Sequence, residues 1–213
     1  MIDALATKFN EGGPFMWVIL VVFAAAVAIV LERFIFYFFI CKINGVKLVA
    51  DVAKALNNNK IEEAKKVACC KQAPVNVLIS TAIERYGAGM TVEDIQEGVD
   101  ETAIKEVPKM SQRLNYLSLF ANIATLLGLL GTIAGLQVSF TSLAAVEAAK
   151  KATMLAQGIS QAMNTTAFGL IVAVPCMIFY TILSNKQQAL TRDLDEAVVR
   201  LLNYMKKRRN KKE

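Results

Sequence analysis

Three long stretches of this chain carry no charged side chain, and they constrain the fold more than anything else in the sequence. No Asp, Glu, Lys or Arg lies between Glu11 and Glu32, between Arg113 and Glu147, or between Lys151 and Lys186, which leaves uncharged runs of 20, 33 and 34 residues. Each meets the length of roughly 20 apolar residues needed to cross a bilayer. An apolar content of 55% is consistent with that reading and too high for an ordinary soluble domain. A backbone in hydrocarbon must satisfy its own hydrogen bonds, so the expected fold class is all-α: a polytopic membrane protein with three transmembrane helices.

The second and third runs exceed one crossing. At about 1.5 Å of rise per residue they make helices of roughly 50 Å against a core of roughly 30 Å, so helices two and three are expected to extend into a cytoplasmic helical stalk. The expected segments are a periplasmic N-terminus (1–13), transmembrane helix 1 (14–40), a cytoplasmic helical segment (41–113), transmembrane helix 2 (114–145), a short periplasmic loop (146–154), transmembrane helix 3 (155–185) and a basic helical tail (186–213). Orientation follows from Lys and Arg. Eleven lie between Lys42 and Arg113 and nine from Lys186 onward, against Lys8 in the first ten residues and Lys150 and Lys151 between spans two and three. The positive-inside rule places the N-terminus outside and the middle segment and tail in the cytoplasm. Acidic Asp3 and Glu11 before the first run, and Glu32-Arg33 after it without a small-residue cleavage pattern, favour a retained helix over a signal peptide.

Helix one starts at Gly12-Gly13-Pro14 and ends in Phe34, Phe36, Tyr37, Phe38 and Phe39, rings suited to the interface. Glu32 and Arg33 can reach headgroup water or pair with other helices. The cytoplasmic segment reads as amphipathic helices over Val46–Leu56, Lys60–Lys71, Pro74–Tyr86 and Thr91 to about Arg113, with Thr91 and Asp94 spaced as a capping box and Gly87 and Gly89 ending the helix before it. Its eleven basic and ten acidic residues are interspersed, the pattern of a solvated helical surface. Beyond Lys186, Leu190, Leu194, Ala197, Val198, Leu201, Leu202 and Met205 keep helical spacing, so the third helix should continue into the tail. The cluster Lys206-Lys207-Arg208-Arg209 suits anionic lipid or plain solvation better than nucleic acid, and no nucleic-acid partner is expected. The cysteines Cys41, Cys69, Cys70 and Cys176 lack metal-ligand spacing and are expected to be reduced, buried packing residues.

Within helix two, Gly128, Gly131 and Gly135 fall on one face and allow close approach of another helix. Thr132 lies beside that face; a threonine there ordinarily bonds its own i−4 carbonyl. Helix three has Gln157, Ser160, Gln161, Asn164, Thr165 and Thr166 within ten residues. Such groups face other helices or water rather than lipid, so they serve either as interhelical glue or as the wall of a water-lined path. Gly158, Ala162, Gly169 and Ala173 form a second small-residue stripe, and Pro175 removes the bond to Ile171, which should bend the helix. The only ionisable residues in the spans are Glu32 and Arg33, so any ion-binding carboxylate must come from a partner. With no His in the chain, no nucleophile–base pair and no metal or phosphate motif, an enzyme is not expected and no cofactor is called for.

The motifs Gly12-Gly13-Pro14…Trp17, Glu32-Arg33-Phe34, Gly128-Leu129-Leu130-Gly131-Thr132-Ile133-Ala134-Gly135 and Gly158-Ile159-Ser160-Gln161-Ala162…Thr166-Ala167-Phe168-Gly169-Leu170…Pro175, in this order, resemble the MotA/TolQ/ExbB proton-channel family, in its ExbB/TolQ-like branch. The resemblance runs from about Gly12 to Asn185. It implies a homopentamer in the bacterial inner membrane around a dimer of an ExbD/TolR-like single-span partner. That partner supplies a membrane aspartate, and ion flow is converted to mechanical work across the envelope. Matched by position, Thr132 and Thr166 are the family threonines that face the partner and the ion path, with Gln161, Thr165 and Asn164 tuning its polarity. Gln161 stands where the family has a glutamate, and an amide cannot release a proton near neutral pH. The transported ion is then H+ with the proton carried by the partner's aspartate, or Na+ with Gln161, Thr165 and Thr166 replacing its hydration shell, unless coupling is altered. The rival reading is a non-conducting scaffold of a trans-envelope complex, with the polar stripe serving only as glue.

Overall fold

A computed structural model describes residues 12–41, 45–58, 60–69, 73–143 and 147–210. Helix α1 spans Pro14–Ile35 and passes into a π-helical turn over Phe36–Ile40. Four shorter helices follow, α2 (Gly45–Asn57), α3 (Ile61–Ala68), α4 (Pro74–Gly87) and α5 (Val92–Ser111), and then two long ones, α6 (Leu114–Ser142) and α7 (Ala148–Arg209). No strand occurs among the described residues. Three helical stretches are long and apolar enough to cross a membrane, one each around α1, α6 and the first half of α7. The protein is an all-α polytopic membrane protein, as the uncharged runs lead one to expect.

Several boundaries follow local chemistry. Proline at the first position of α1 and α4 costs no intrahelical hydrogen bond, because the first N–H groups of a helix have no partner inside it. Thr91 caps α5 with both halves of the capping box formed: its hydroxyl accepts from Asp94 N–H at 3.1 Å, and the Asp94 carboxylate accepts from Thr91 N–H at 3.0 Å. Of the two glycines expected to end α4, Gly87 is its last helical residue, whereas Gly89 adopts the left-handed φ of 77° that turns the chain.

Three expectations need correction. The stalk expected of helix two has a turn in it: Arg113 takes a left-handed φ of 63° between α5 and α6. The segment read as a loop over 146–154 is helical from Ala148, since Lys150 and Lys151 are good helix formers and two charges do not end a helix. Cys69 is exposed, while Cys41 and Cys176 are buried and free as expected. The third helix does continue as expected, through Pro175 and on to Arg209 as one element. The expectations placed on residues 1–11, Cys70, Lys71, 144–146 and 211–213 fall outside the described residues.

The chain divides into two units, one of residues 1–31 and 113–182, the other of 32–112 and 183–213. In the first, Ile19 and Ala26 of α1, Ala121 and Ala124 of α6, and Val172, Ala173 and Cys176 of α7 form a buried cluster. Small side chains predominate because these helices approach closely, and in lipid that packing is what holds helices together.

In the second unit, α2 packs on α3, α3 on α4 and α4 on α5. The α7 residues Leu190, Leu194, Ala197, Leu201 and Met205 are all buried, as their spacing requires. Gly45 of α2 lies so close to α7 that a Cβ there would sit 3.0 Å from Ala197 Cβ, and the Tyr204 hydroxyl donates to Ala53 O at 3.1 Å. Arg33, at 4% exposure, does pair with another helix: its Nη1 donates to Lys109 O at 3.2 Å, and Nη2 meets Glu32 at 3.3 Å. The fully buried Tyr37 hydroxyl donates to Met110 O at 2.5 Å. Both side chains thus satisfy carbonyls of the last turn of α5, which no residue of that helix can reach.

Candidate functional site

The site is built where the glycine face of α6 meets α7, and it begins with absent side chains. Gly128, Gly131 and Gly135 are all buried. A Cβ on Gly128 would lie 3.2 Å from Thr166 Cα, and one on Gly135 would lie 3.3 Å from Ala162 Cβ. From the facing helix, a Cβ on Gly169 would lie 2.6 Å from Ala124 O, and one on Gly158 would fall on the Ser139 hydroxyl. The two small-residue stripes are therefore the two halves of one contact, in which backbone packs directly on backbone.

That approach brings the two threonines together. Thr166 Oγ1 donates to Gly128 O across the interface at 2.9 Å, Thr132 Oγ1 lies 3.2 Å from the same carbonyl within its own helix, and the two hydroxyls are hydrogen-bonded to each other. Two hydroxyls carry two protons and four lone pairs, so a pair that shares one backbone acceptor keeps lone pairs to offer a third group. Both residues are half-buried. Such an arrangement can accept a hydrogen bond or contribute oxygens to a cation; it cannot hold a charge of its own.

Thr165 has a different place. At 1% exposure it is enclosed, its methyl is against Gly131, and its hydroxyl proton is shared between Gln161 O and Gly12 O, each at 2.9 Å. It fastens the chain ahead of α1 to α7. Gln161 is half-buried and borders a cavity of about 130 Å³ lined by Gly12, Pro14, Phe15, Gly131, Gly135 and Val138, among others. Its Nε2 occupies the space a Cβ on Gly13 would need, and Gly13 has a φ of 75°, so a side chain there would be strained by the backbone and would have to displace the Gln161 amide.

Asn164 is half-buried and does not border that cavity, while Gln157 and Ser160 are exposed. Of the five residues proposed for an ion path, the fold therefore brings Thr132 and Thr166 into one pair and Thr165 and Gln161 into a second group around Gly12-Gly13, and it leaves Asn164 apart from both. Sequence reasoning missed the contributions of Gly12, Gly13 and Ser139, whose hydroxyl donates to Gly135 O at 2.8 Å. The Gly-Gly before Pro14 was a usable signal, because consecutive glycines ahead of a helix often mark a close approach. No group of three or more acidic, Cys or His side chains suited to a metal occurs among the described residues.

The model of the MotA/TolQ/ExbB proton channel family matches residues 71–196, which include α6, the paired threonines and most of α7. The chain belongs to this family. Its relatives place it in the ExbB/TolQ-like branch. It is 28% identical over 179 residues to an ExbB homolog named for biopolymer transport from Methanothermobacter thermautotrophicus, covering 84% of this chain and 62% of the relative. It is 30% identical over 155 residues to a biopolymer transport protein described as ExbB-like 3 from Synechocystis, covering 72% of each. It is 34% identical over 91 residues to the Tol-Pal system protein TolQ of Haemophilus influenzae, covering 42% of this chain and 39% of TolQ. The chain thus spans between about two fifths and three quarters of these relatives' lengths.

Proposed function

We propose that this chain is an ion-conducting, stator-like subunit of an inner-membrane motor that couples an H+ or Na+ gradient to mechanical work across the cell envelope. In this reading five copies surround a dimer of an ExbD/TolR-like single-span partner, whose membrane aspartate binds the ion. The N-terminus lies on the periplasmic side and the tail in the cytoplasm.

The observation that carries the reading is the Thr132–Thr166 pair on the Gly128 carbonyl, set inside two uncharged spans. It offers oxygens where a bilayer otherwise offers none, and it lacks the charge that would trap a cation. The mobile charge then resides on the partner. Gln161 fits that division, since its amide can orient an ion or water but cannot release a proton.

Gradient-driven ion flux in proteoliposomes containing the chain and its partner tests the proposal. Thr132→Val and Thr166→Val keep the side-chain shape and remove the hydroxyls, and flux should fall roughly five- to thirtyfold, the size of effect expected when a buried polar step loses about 1–2 kcal/mol. Parental flux from the double variant refutes the ion path. One observation favours the scaffold reading: Thr132 and Thr165 each already have a backbone acceptor in their own helix. If flux is absent in the parent and assembly is lost in the valine variants, the stripe is glue.

A further inference from the structure

Helix α6 carries a second set of polar side chains between its start and Thr132. Ser118, Thr125 and Thr132 repeat every seven residues, as do Asn115 and Asn122. Seven residues are close to two helical turns, so all five lie within an arc of about 100° bordering the glycine face. From Asn115 to Thr132 the arc runs 17 residues, or about 25 Å, most of the thickness of a hydrocarbon core.

Asn115, Asn122 and Thr125 are exposed on this chain, and Ser118 is half-buried. Thr125 donates to Ala121 O at 3.0 Å, whereas no hydrogen bond of the Asn115, Ser118 or Asn122 side chains occurs among the described residues. Two amides and a hydroxyl that have no partner among the described residues cannot be left against acyl chains. Even Ser118, with the Leu114 carbonyl one turn behind it, does not take the usual intrahelical bond.

We propose that Asn115, Ser118, Asn122 and Thr125 line a hydrated leg of the ion path, leading from the Thr132–Thr166 pair to the Arg113 end of α6. This rests on the conducting reading above and names the residues that carry the ion beyond the threonines. The hydroxyl row is continuous in register with Thr132. The two amides stand toward the end of α6 that meets Arg113, where the uncharged run stops. Each amide presents a carbonyl oxygen and two N–H groups, which lets it coordinate a cation or order a water chain without binding either tightly.

The test is cysteine accessibility in the full complex with its partner in membrane vesicles, on a background in which Cys41, Cys69, Cys70 and Cys176 are replaced by serine. The probe is a charged methanethiosulfonate, which needs water and a thiolate. Asn115→Cys, Ser118→Cys, Asn122→Cys and Thr125→Cys should react at least about tenfold faster than Leu119→Cys and Leu130→Cys on the neighbouring arc. Flux should also fall in Asn122→Leu while the complex keeps its size. Stripe cysteines as unreactive as the leucine-site controls, or flux unchanged in Asn122→Leu, overturn the inference and make the stripe dry contact between subunits. If Thr132→Val and Thr166→Val abolish flux while the stripe proves dry, this leg alone is wrong. If the stripe is reactive and the valine variants conduct normally, both readings fall.

Discussion

Gly131→Ala should destabilise the membrane unit by an amount that depends on one methyl group of Thr165. A Cβ at position 131 would lie 2.9 Å from Thr165 Cβ and closer still to its Cγ2, inside the distance that real atoms keep. Thr165 cannot swing aside freely. It is 1% exposed and β-branched, and its hydroxyl is held by Gly12 O and Gln161 O. Either α6 and α7 separate, or Thr165 changes rotamer and gives up its bond to Gly12. Overpacking costs roughly 1–3 kcal/mol and a net hydrogen bond about 1, so the loss should be about 2–4 kcal/mol. Thr165→Ser removes the offending methyl and keeps the hydroxyl. The double variant Gly131→Ala/Thr165→Ser should therefore be at least about 1 kcal/mol more stable than the sum of the single changes. Equilibrium unfolding in mixed micelles at fixed protein concentration closes this cycle. A coupling within about 0.5 kcal/mol of zero would mean that Gly131 is not in contact with Thr165.

Three further outcomes follow. Tyr37→Phe removes the donor to Met110 O and leaves a buried carbonyl at the end of α5, so it should cost about 1–3 kcal/mol in the same unfolding assay, and a neutral effect would contradict the contact. The Thr91 hydroxyl, and then its N–H, hold the Asp94 carboxyl below its ordinary value of 3.8. A depressed carboxyl stabilises the fold above its unfolded pKa and loses that contribution as pH falls through the lower folded value. Protection of the amides at the start of α5, taken relative to their intrinsic exchange, should thus fall as the pH is taken below about 4, and it should do so less in Asp94→Asn; an equal fall in both would remove the role of the carboxylate. Finally, Gln161→Glu keeps the side-chain length and adds an ionisable oxygen beside the cavity at Gly13, so the pH profile of flux should acquire a new inflection. An unchanged profile would place Gln161 off the path.

How much of this could be read in advance depended on sequence separation. Helix positions, the capping box at Thr91, the buried row from Leu190 to Met205 and the mutual packing of the glycine stripes rest on periods of a few residues, which a single chain displays directly. The left-handed turn at Arg113 was not legible, because a left-handed arginine has no compositional marker. The same holds for Arg33 and Tyr37 on the end of α5, whose partners lie 76 and 73 residues away.

The ion-path candidates divide along the same line. The uncharged runs by themselves determined that polar groups in the spans must find partners, because hydrocarbon offers none. They also determined that no carboxylate of this chain lies in spans two and three to carry a charge. Which polar groups serve which end was a tertiary matter. Thr165 and Thr166 are neighbours in sequence, yet 100° of helix rotation sends one hydroxyl to Gly12 as a clasp and sets the other against Thr132 on a shared carbonyl.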